Sequence, residues 1–526
     1  MIRLIKKIFF QQTRSLDKKG KLGSSTSLSH ELTINLDRLK EIFGTSNDIV
    51  IREFNMGRNR QISGAILYVE GMSDKLLINE SLIKPLMYGI PGTEEVVSID
   101  TIRKSMVSVG GVEQVSSISD VVDGCLSGDT VLLIHGLNEA LILNTKGWDS
   151  RGVEEPSTES VVRGPREGFS ETLRVNTALL RRKIKNPDLK IEPMKLGRRT
   201  KTDVCIIYLK DLANPRLIEE IRRRLNRIDT DGIMESGYIE QFIEDAPYSI
   251  FSTIANSEKP DVIAAKLLEG RAAIMVDGTP FVLTVPMVLI ESFQSAEDYY
   301  SRPYFASLIR MMRFLAYGIS TLAPAVYVAL TTFHQELIPT PLLFTLASSR
   351  EGIPFPAVLE ALVMLVAFEI LREAGVRLPR PVGSAISIVG ALVIGEAAVS
   401  AGLIGAPMVI VVALTAVSSF VVPAQTDSQV ILRYIFLVLA GFMGGFGIAI
   451  GLLGVVIHLA SLRSFGTPYL SPVAPLSVRD LKDTFIRAPI WAMLTRPRTI
   501  ALHDPERQEF RLDTAPHAED GDGTEG

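Results

Sequence analysis

Three glutamates and one histidine stand inside long apolar runs of this sequence: Glu360, Glu369, Glu396 and His458. An ionisable side chain is costly in lipid, so a functional role is its default reading there. Glu396, flanked by Gly395 and Ala397, lies well inside its run, where water or a close neighbour must satisfy it. It leads the set of ion-pathway candidates, which also holds Glu360 and Glu369. Glu369 comes three residues before Arg372, a spacing that allows a local ion pair with no transport role. Glu360 is nine residues earlier, which at ~3.6 residues per turn places it on the opposite helical face. The two therefore cannot line one lumen. For Glu360, pathway lining stands beside simple capping near the start of its own helix, where the macrodipole favours a negative charge. His458, near the end of its run, reads as interfacial.

The elements that must hold these residues are transmembrane helices, each needing ~20 mostly apolar residues. Phe314 to Phe333, Ser384 to Ile404, Ala406 to Val422 and Tyr434 to Ala460 approach or exceed that length; Ala357 to Leu371 is shorter and carries two of the glutamates. Pro324 is expected to kink the first span. Gly441, Gly445, Gly447 and Gly451 give small-xxx-small spacings for close helix packing, within one chain or between subunits. Arg302, Arg310 and Arg313 precede the first span, and Arg372, Arg377 and Arg380 follow the Ala357 to Leu371 helix. By the positive-inside rule both groups, and the region before them, are cytoplasmic. Five plain crossings would then put the tail outside, although it carries Arg463, Arg479, Lys482, Arg487, Arg496 and Arg498. One segment must be irregular: Ile431 to Ser461, broken by Gly444-Gly445-Phe446-Gly447, or a re-entrant passage at Leu342 to Ile353.

The front half reads as soluble. Apolar periodicity predicts a helix within His30 to Phe43, strands at Ile49 to Phe54 and Gly64 to Val69, helices at Asp74 to Met87 and Val121 to Leu126, and a hairpin of Thr130 to Ile134 with Ala140 to Leu143. The order returns roughly 140 residues later. Gly57-Arg58 before Ala65 to Tyr68 aligns with Gly197-Arg198 before Cys205 to Tyr208. Asp120 to Gly128 before His135-Gly136 aligns with Asp261 to Gly270 before Asp277-Gly278. The fold class is thus a two-lobed, duplicated α/β region followed by an all-α polytopic transmembrane domain. Its predicted divisions are a disordered or surface tail 1–29, lobe 1 at 30–150, a linker and basic helix at 151–187, lobe 2 at 188–300, the transmembrane domain 301–475 and a cytoplasmic tail 476–526 with a disordered end. The basic helix, with Arg174, Arg181, Arg182, Lys183 and Lys185, presents either a solvated face or one for anionic headgroups or an acidic partner.

Composition bounds the rest. A chain of 526 residues with 47% hydrophobic content and a net charge of -4 is too long for one domain and lacks the basic stripe of a nucleic-acid binder. Cys125 and Cys205 stand far apart, which gives neither a disulfide framework nor a metal spacing. No metal, cofactor or catalytic motif is read, so an enzyme is not expected. The start, Met1 to Phe10, is basic and apolar but too short for an export signal.

Longer strings add a resemblance. Glu155 to Phe169 with the Arg-rich helix after it, Tyr299 to Arg313, Ile338-Pro-Thr-Pro-Leu-Leu343, Arg350-Glu-Gly-Ile-Pro-Phe-Pro356 and Leu462-Arg-Ser-Phe-Gly-Thr-Pro-Tyr-Leu470 resemble, in order, the GerA family, the A subunits of bacterial spore germinant receptors. The match covers roughly His30 to Arg498. It implies the inner membrane of an endospore, a transporter-like B subunit, a lipoprotein C subunit, and a homo-oligomer, a pentamer in this family, acting as a ligand-gated channel for monovalent cations. A relative encoded with the dipicolinate-release proteins shares the architecture. A secondary transporter and a structural scaffold subunit are the competing classes; a transporter should show paired broken helices in two inverted halves.

Overall fold

Short apolar strands bounded by glycine turns build the front of the molecule. A computed structural model describes residues 27–56, 62–88, 99–105, 107–147, 156, 159, 161–377, 395–478, 480–500 and 504–508. They divide into two units, Met1–Ser150 with Ile184–Asp188, and Arg151–Lys183 with Leu189–Gly526. Of the features singled out in the sequence, Met1 to Phe10, Gly57-Arg58, Arg380, Arg479, most of Ser384 to Ile404 and the end of the tail lie outside the described residues.

The first unit holds α1 (Leu32–Phe43), β1 (Ile49–Met56), β2 (Ile62–Val69), a helical stretch from Lys75 to Tyr88 with a π turn at Asn79–Ile83, Ile99–Ser105, β3 (Val112–Val115), α2 (Ile118–Leu126), β4 (Thr130–Ile134) and β5 (Ala140–Leu143). Its sheet runs β1-β2-β4-β5-β3, antiparallel at every pairing. Asp74 caps the stretch through the Leu76 and Leu77 amides, as a short carboxylate at an N-cap should. The expected surface tail stops before residue 29: Leu28 is buried and its amide bonds the Ser116 carbonyl.

The second unit opens with the same design. It comprises α3 (Leu173–Lys183), β6 (Leu189–Leu196), β7 (Thr202–Leu209), α4 (Pro215–Asn226), α5 (Ser236–Ile243), β8 (Ala255–Ser257), α6 (Pro260–Leu267), β9 (Ala272–Val276) and β10 (Val282–Val285), with sheet order β6-β7-β9-β10-β8. Position for position this is the strand order of the first sheet. The matched turn glycines carry the same left-handed backbone, Gly136 at φ 89° and Gly278 at φ 92°. Each is an inexpensive glycine position and a strained one for any other residue. A polar signature repeats too: the Ser29 amide bonds Asn35 Oδ1 at 2.9 Å, and the Ser170 amide bonds Asn176 Oδ1 at 2.8 Å. The basic helix α3 belongs to this lobe rather than to a linker. Arg181 is fully buried, and Arg182 and Lys183 pair with Glu167, so these three are not available to headgroups.

The rest of the second unit is helical. It contains α7 (Pro303–Thr332), α8 (Thr340–Arg350), α9 (Ala357–Arg377), helical residues 395–400, α10 (Ala406–Ser419) and α11 (Thr426–Ser461). By length and composition Pro303–Thr332 and Pro423–Ser461 suffice to cross a membrane. Large apolar side chains cover the outside, among them Leu315, Val363, Ile410, Val417, Phe442 and Leu453, far more than a water-facing surface carries.

The long helix α11 is not one rod. Gly444 has φ 58° and ψ -139°, and the chain reverses there. A Cβ on Gly451 would lie 2.7 Å from Phe436 Cε1, and one on Gly447 would strike the Leu439 carbonyl. Fifteen residues along a straight helix would separate Gly451 from Phe436 by ~22 Å. Leu432, Phe436, Ala440 and Ile448 share one core with Val455 and Leu459, as two antiparallel limbs, 426–443 and 445–461, require. The irregular segment expected within Ile431 to Ser461 is thus a helical hairpin. After it the chain returns to lobe 2: the Ser464 hydroxyl donates to the Thr253 carbonyl at 2.6 Å, and the Leu289 amide donates to the Tyr469 carbonyl at 2.9 Å.

Candidate functional site

Two charged clusters sit inside the helical bundle. The first is built on Arg433, whose side chain is 0% exposed in the first limb of α11. Pro324 has no amide hydrogen, so the carbonyl of Ser320, one turn earlier, loses its helical donor. Arg433 Nε supplies the replacement at 2.8 Å. Its Nη1 meets Glu369 Oε1 at 2.9 Å, and Glu369 Oε2 meets Arg372 at 2.7 Å. One guanidinium therefore ties α7, α9 and α11, which a lysine's single ammonium cannot do with the same fork. Its Nη2 has no hydrogen-bond partner. The local Glu369–Arg372 pair read from spacing is present, but the larger partner, Arg433, was not foreseen.

The second cluster holds Glu360, 1% exposed. Its Oε1 lies 3.2 Å from Arg350 Nη2, and its Oε2 accepts the Gly405 amide at 3.0 Å. Gly405 is the N-cap of α10, so Glu360 compensates the positive end of a neighbouring helix rather than only its own. The structure thus separates Glu360 from Glu369, each in its own cluster. Glu396 joins neither; its side chain is exposed. His458 bonds Ser249 Oγ at 2.9 Å, seating the end of α11 on lobe 2. At the opposite tip, His334 Nε2 accepts the Gly445 amide at 3.1 Å.

The glycines pack within the chain. A Cβ on Gly441 would lie 2.8 Å from Val358 Cγ2 of α9, while Gly447 and Gly451 let the two limbs approach and Gly445 meets His334. The arginines before the first span are consumed locally. Arg310, 0% exposed, and Arg313 both pair with Asp298, and Arg310 also pairs with Asp483. Among the described residues no group of acidic, histidine or cysteine side chains could hold a metal ion.

Beside the hairpin base, burial pushes the Glu240 carboxyl of α5 up from the ordinary carboxylate range, reinforced by Glu235 and Asp427 and opposed by the Ser252 hydroxyl. A carboxyl raised by folding stabilises the fold fully below its unfolded pKa, and that contribution is lost as pH rises through the raised value. Glu240→Gln, neutral throughout, is expected to raise the unfolding temperature at about pH 8 and to leave it unchanged near pH 4. Thermal unfolding at the two pH values checks this; an equal effect at both would contradict it.

The chain is similar in sequence to known proteins. A family model described as Bacillus/Clostridium GerA spore germination protein matches residues 37–499. Spore germination protein KA of Bacillus subtilis (strain 168) is 48% identical over 483 residues, 91% of this chain and 89% of that one. The uncharacterized membrane protein YfkQ of the same organism is 44% identical, covering 92% of this chain and 94% of its own. The solved N-terminal domain of the A subunit of the Bacillus megaterium spore germinant receptor GerK3 is 38% identical, covering 50% of this chain and 97% of that domain, with a TM-score of 0.38. With the family model spanning residues 37–499 and a relative 48% identical over 91% of the present sequence, this chain belongs to the GerA family of spore germination proteins.

Proposed function

We propose that this chain is a membrane subunit of a nutrient germinant receptor that assembles, as a pentamer, into a ligand-gated channel for monovalent cations. Its opening releases ions and starts germination, without enzymatic chemistry and in company with transporter-like B and lipoprotein C subunits. The location is the inner membrane of the spore, with the N-terminal region on the cytoplasmic side. The observation that carries the reading is the combination of an apolar outer surface with buried Arg433–Glu369 and Glu360–Arg350 pairs. Such charges in a membrane bundle are costly unless they pair or serve a path.

Topology supports it. Helix α7 leaves lobe 2, and its far end meets the hairpin tip, where Phe333 abuts Gly444. Helix α9 starts at that far side, where Val358 touches Gly441, and its later residue Glu369 lies beside Arg433 near the hairpin base. Glu360 and Gly405 are again on the far side; α10 then leads back to the base, and the hairpin rises and returns. Among the described residues α7, α9, α10 and the two limbs of the hairpin make five passes, and the contacts of Ser464 and Tyr469 with lobe 2 bring the basic tail back to that side. This removes the conflict that five plain crossings create.

Within this reading the paired carboxylates hold the bundle, and Glu396, exposed on a single chain, is the one available to line a path between chains. Cation flux from liposomes containing the purified oligomer tests this. Glu396→Ala is expected to change rate or selectivity several-fold with assembly intact. Glu360→Ala, which strands Arg350, is expected to reduce the folded yield first. No flux from an intact oligomer, even with B and C subunits and nutrient present, would favour a scaffold.

A further inference from the structure

The first helix is longer than the bilayer it crosses. Thirty residues make α7 ~45 Å long, against ~30 Å of hydrocarbon. Its far end is level with the hairpin tip. Toward lobe 2, Gln425 at the hairpin base bonds Ser292 at 2.8 Å, and the adjoining Phe293 stacks on Phe314 with ring centroids 4.2 Å apart. Phe314 therefore marks the level of the hairpin base. About three turns of α7, Pro303 to Arg313, project past it on the lobe-2 side. Arg310, Arg313, Asp298 and Asp483 gather at this level, a charge density that belongs to the aqueous side and not to hydrocarbon.

Yet one face of these turns is apolar and bare. Tyr304 is 90% exposed, Leu308 56% and Met311 55%, and Leu315, 65% exposed, continues the line just inside the level of Phe314. Their spacing of four, three and four residues draws a single stripe, the pattern with which one helix accepts another. The segment after the hairpin extends it sideways. Arg487 donates its amide to Ser307 Oγ at 3.1 Å, Phe485 lies against Phe314, and Phe485 and Ile486 remain about half exposed. With a fully exposed large side chain presenting ~150–250 Å² and these six between about half and nine-tenths exposed, the stripe and its neighbours offer roughly 750 Å². That is comparable to the ~800 Å² per partner of a stable protein interface.

We infer that this stripe is a contact surface for a second copy of the chain, on the lobe-2 side of the membrane. The inference rests on the membrane-embedded oligomer described above and gives it a place. Tyr304, Leu308 and Met311 lie on the aqueous side of Phe314, beyond the reach of lipid tails, while the area and helical spacing fit a protein face.

The test uses the purified full-length chain in bilayer vesicles, with a photoreactive benzoyl-phenylalanine at Met311 and, as a control at hydrocarbon level, at Val326. Irradiation at Met311 is expected to give a product of twice the 57.6 kDa chain mass. Leu308→Glu is expected to reduce that product about tenfold while the unfolding temperature and membrane retention stay unchanged. A lipid adduct at Met311 matching that at Val326, or no intermolecular product, in a chain that resists alkaline extraction would overturn the interface and leave the membrane reading standing. Release of the chain by alkaline extraction would overturn the membrane reading itself.

Discussion

Arg433→Met is expected to cost the helical domain about 3–5 kcal/mol, the usual loss when one member of a buried ion pair is removed. The substitution strands two groups at once. The Ser320 carbonyl, already deprived of its helical donor by Pro324, loses the guanidinium at 2.8 Å, and an unsatisfied buried acceptor alone costs about 1–3 kcal/mol. Glu369 keeps only Arg372. Arg433→Lys retains charge but cannot reach both acceptors with the same fork, so an intermediate loss is expected. Adding Glu369→Gln to Arg433→Met removes the stranded charge and should recover part of the loss, giving a coupling energy in a double-mutant cycle. Unfolding in detergent measures all four proteins. Equal stability of Arg433→Met and wild type would remove the guanidinium from its central place.

Gly444→Ala is expected to abolish the hairpin tip, with a loss of several kcal/mol from two separable causes. A φ of 58° with ψ of -139° lies in territory open to glycine and costing other residues about 1–3 kcal/mol. The added Cβ would also lie 2.8 Å from Phe333 Cβ, inside contact distance. Phe333→Gly removes the clash, which Phe333→Ala would leave in place at Cβ, but not the backbone strain, so the double variant should regain only part of the loss. Folded yield and unfolding temperature report both parts. A neutral Gly444→Ala would mean that the chain does not turn back there.

The lobes were legible because glycine turns and buried strands repeat at one spacing. Their shared strand order appears in the sequence as His135-Gly136 and Asp277-Gly278, which share one backbone conformation. The Ser29–Asn35 and Ser170–Asn176 bonds were present in the same strings but are polar and isolated, so apolar periodicity passes over them. Strands β3 and β8, four and three residues long, are too short for any period. The break at Gly444 was legible from a glycine cluster in an overlong run, but a kink and a reversal share that signal, and only contacts such as Gly451 with Phe436 separate them. Arg433 escaped because the apolar run was counted from Tyr434. Read with Pro324, a lone arginine between Leu432 and Tyr434 is a legible clue. The helix Ala357 to Leu371 extends to Arg377 because its charges find partners: Glu369 takes Arg433 and Arg372, and Glu373 takes Arg377.

The central claim is that residues 303–461 cross a membrane and fold back, so that lobe 2 and the segment after the hairpin share one side. Single cysteines at the exposed positions Lys195, Glu336 and Arg498 test it in sealed vesicles, against a background in which Cys125 and Cys205 are buried. The account predicts that a membrane-impermeant thiol reagent reaches Lys195→Cys and Arg498→Cys from one side and Glu336→Cys from the other. Labelling of Lys195→Cys and Arg498→Cys from opposite sides, or of Glu336→Cys together with both, would contradict it.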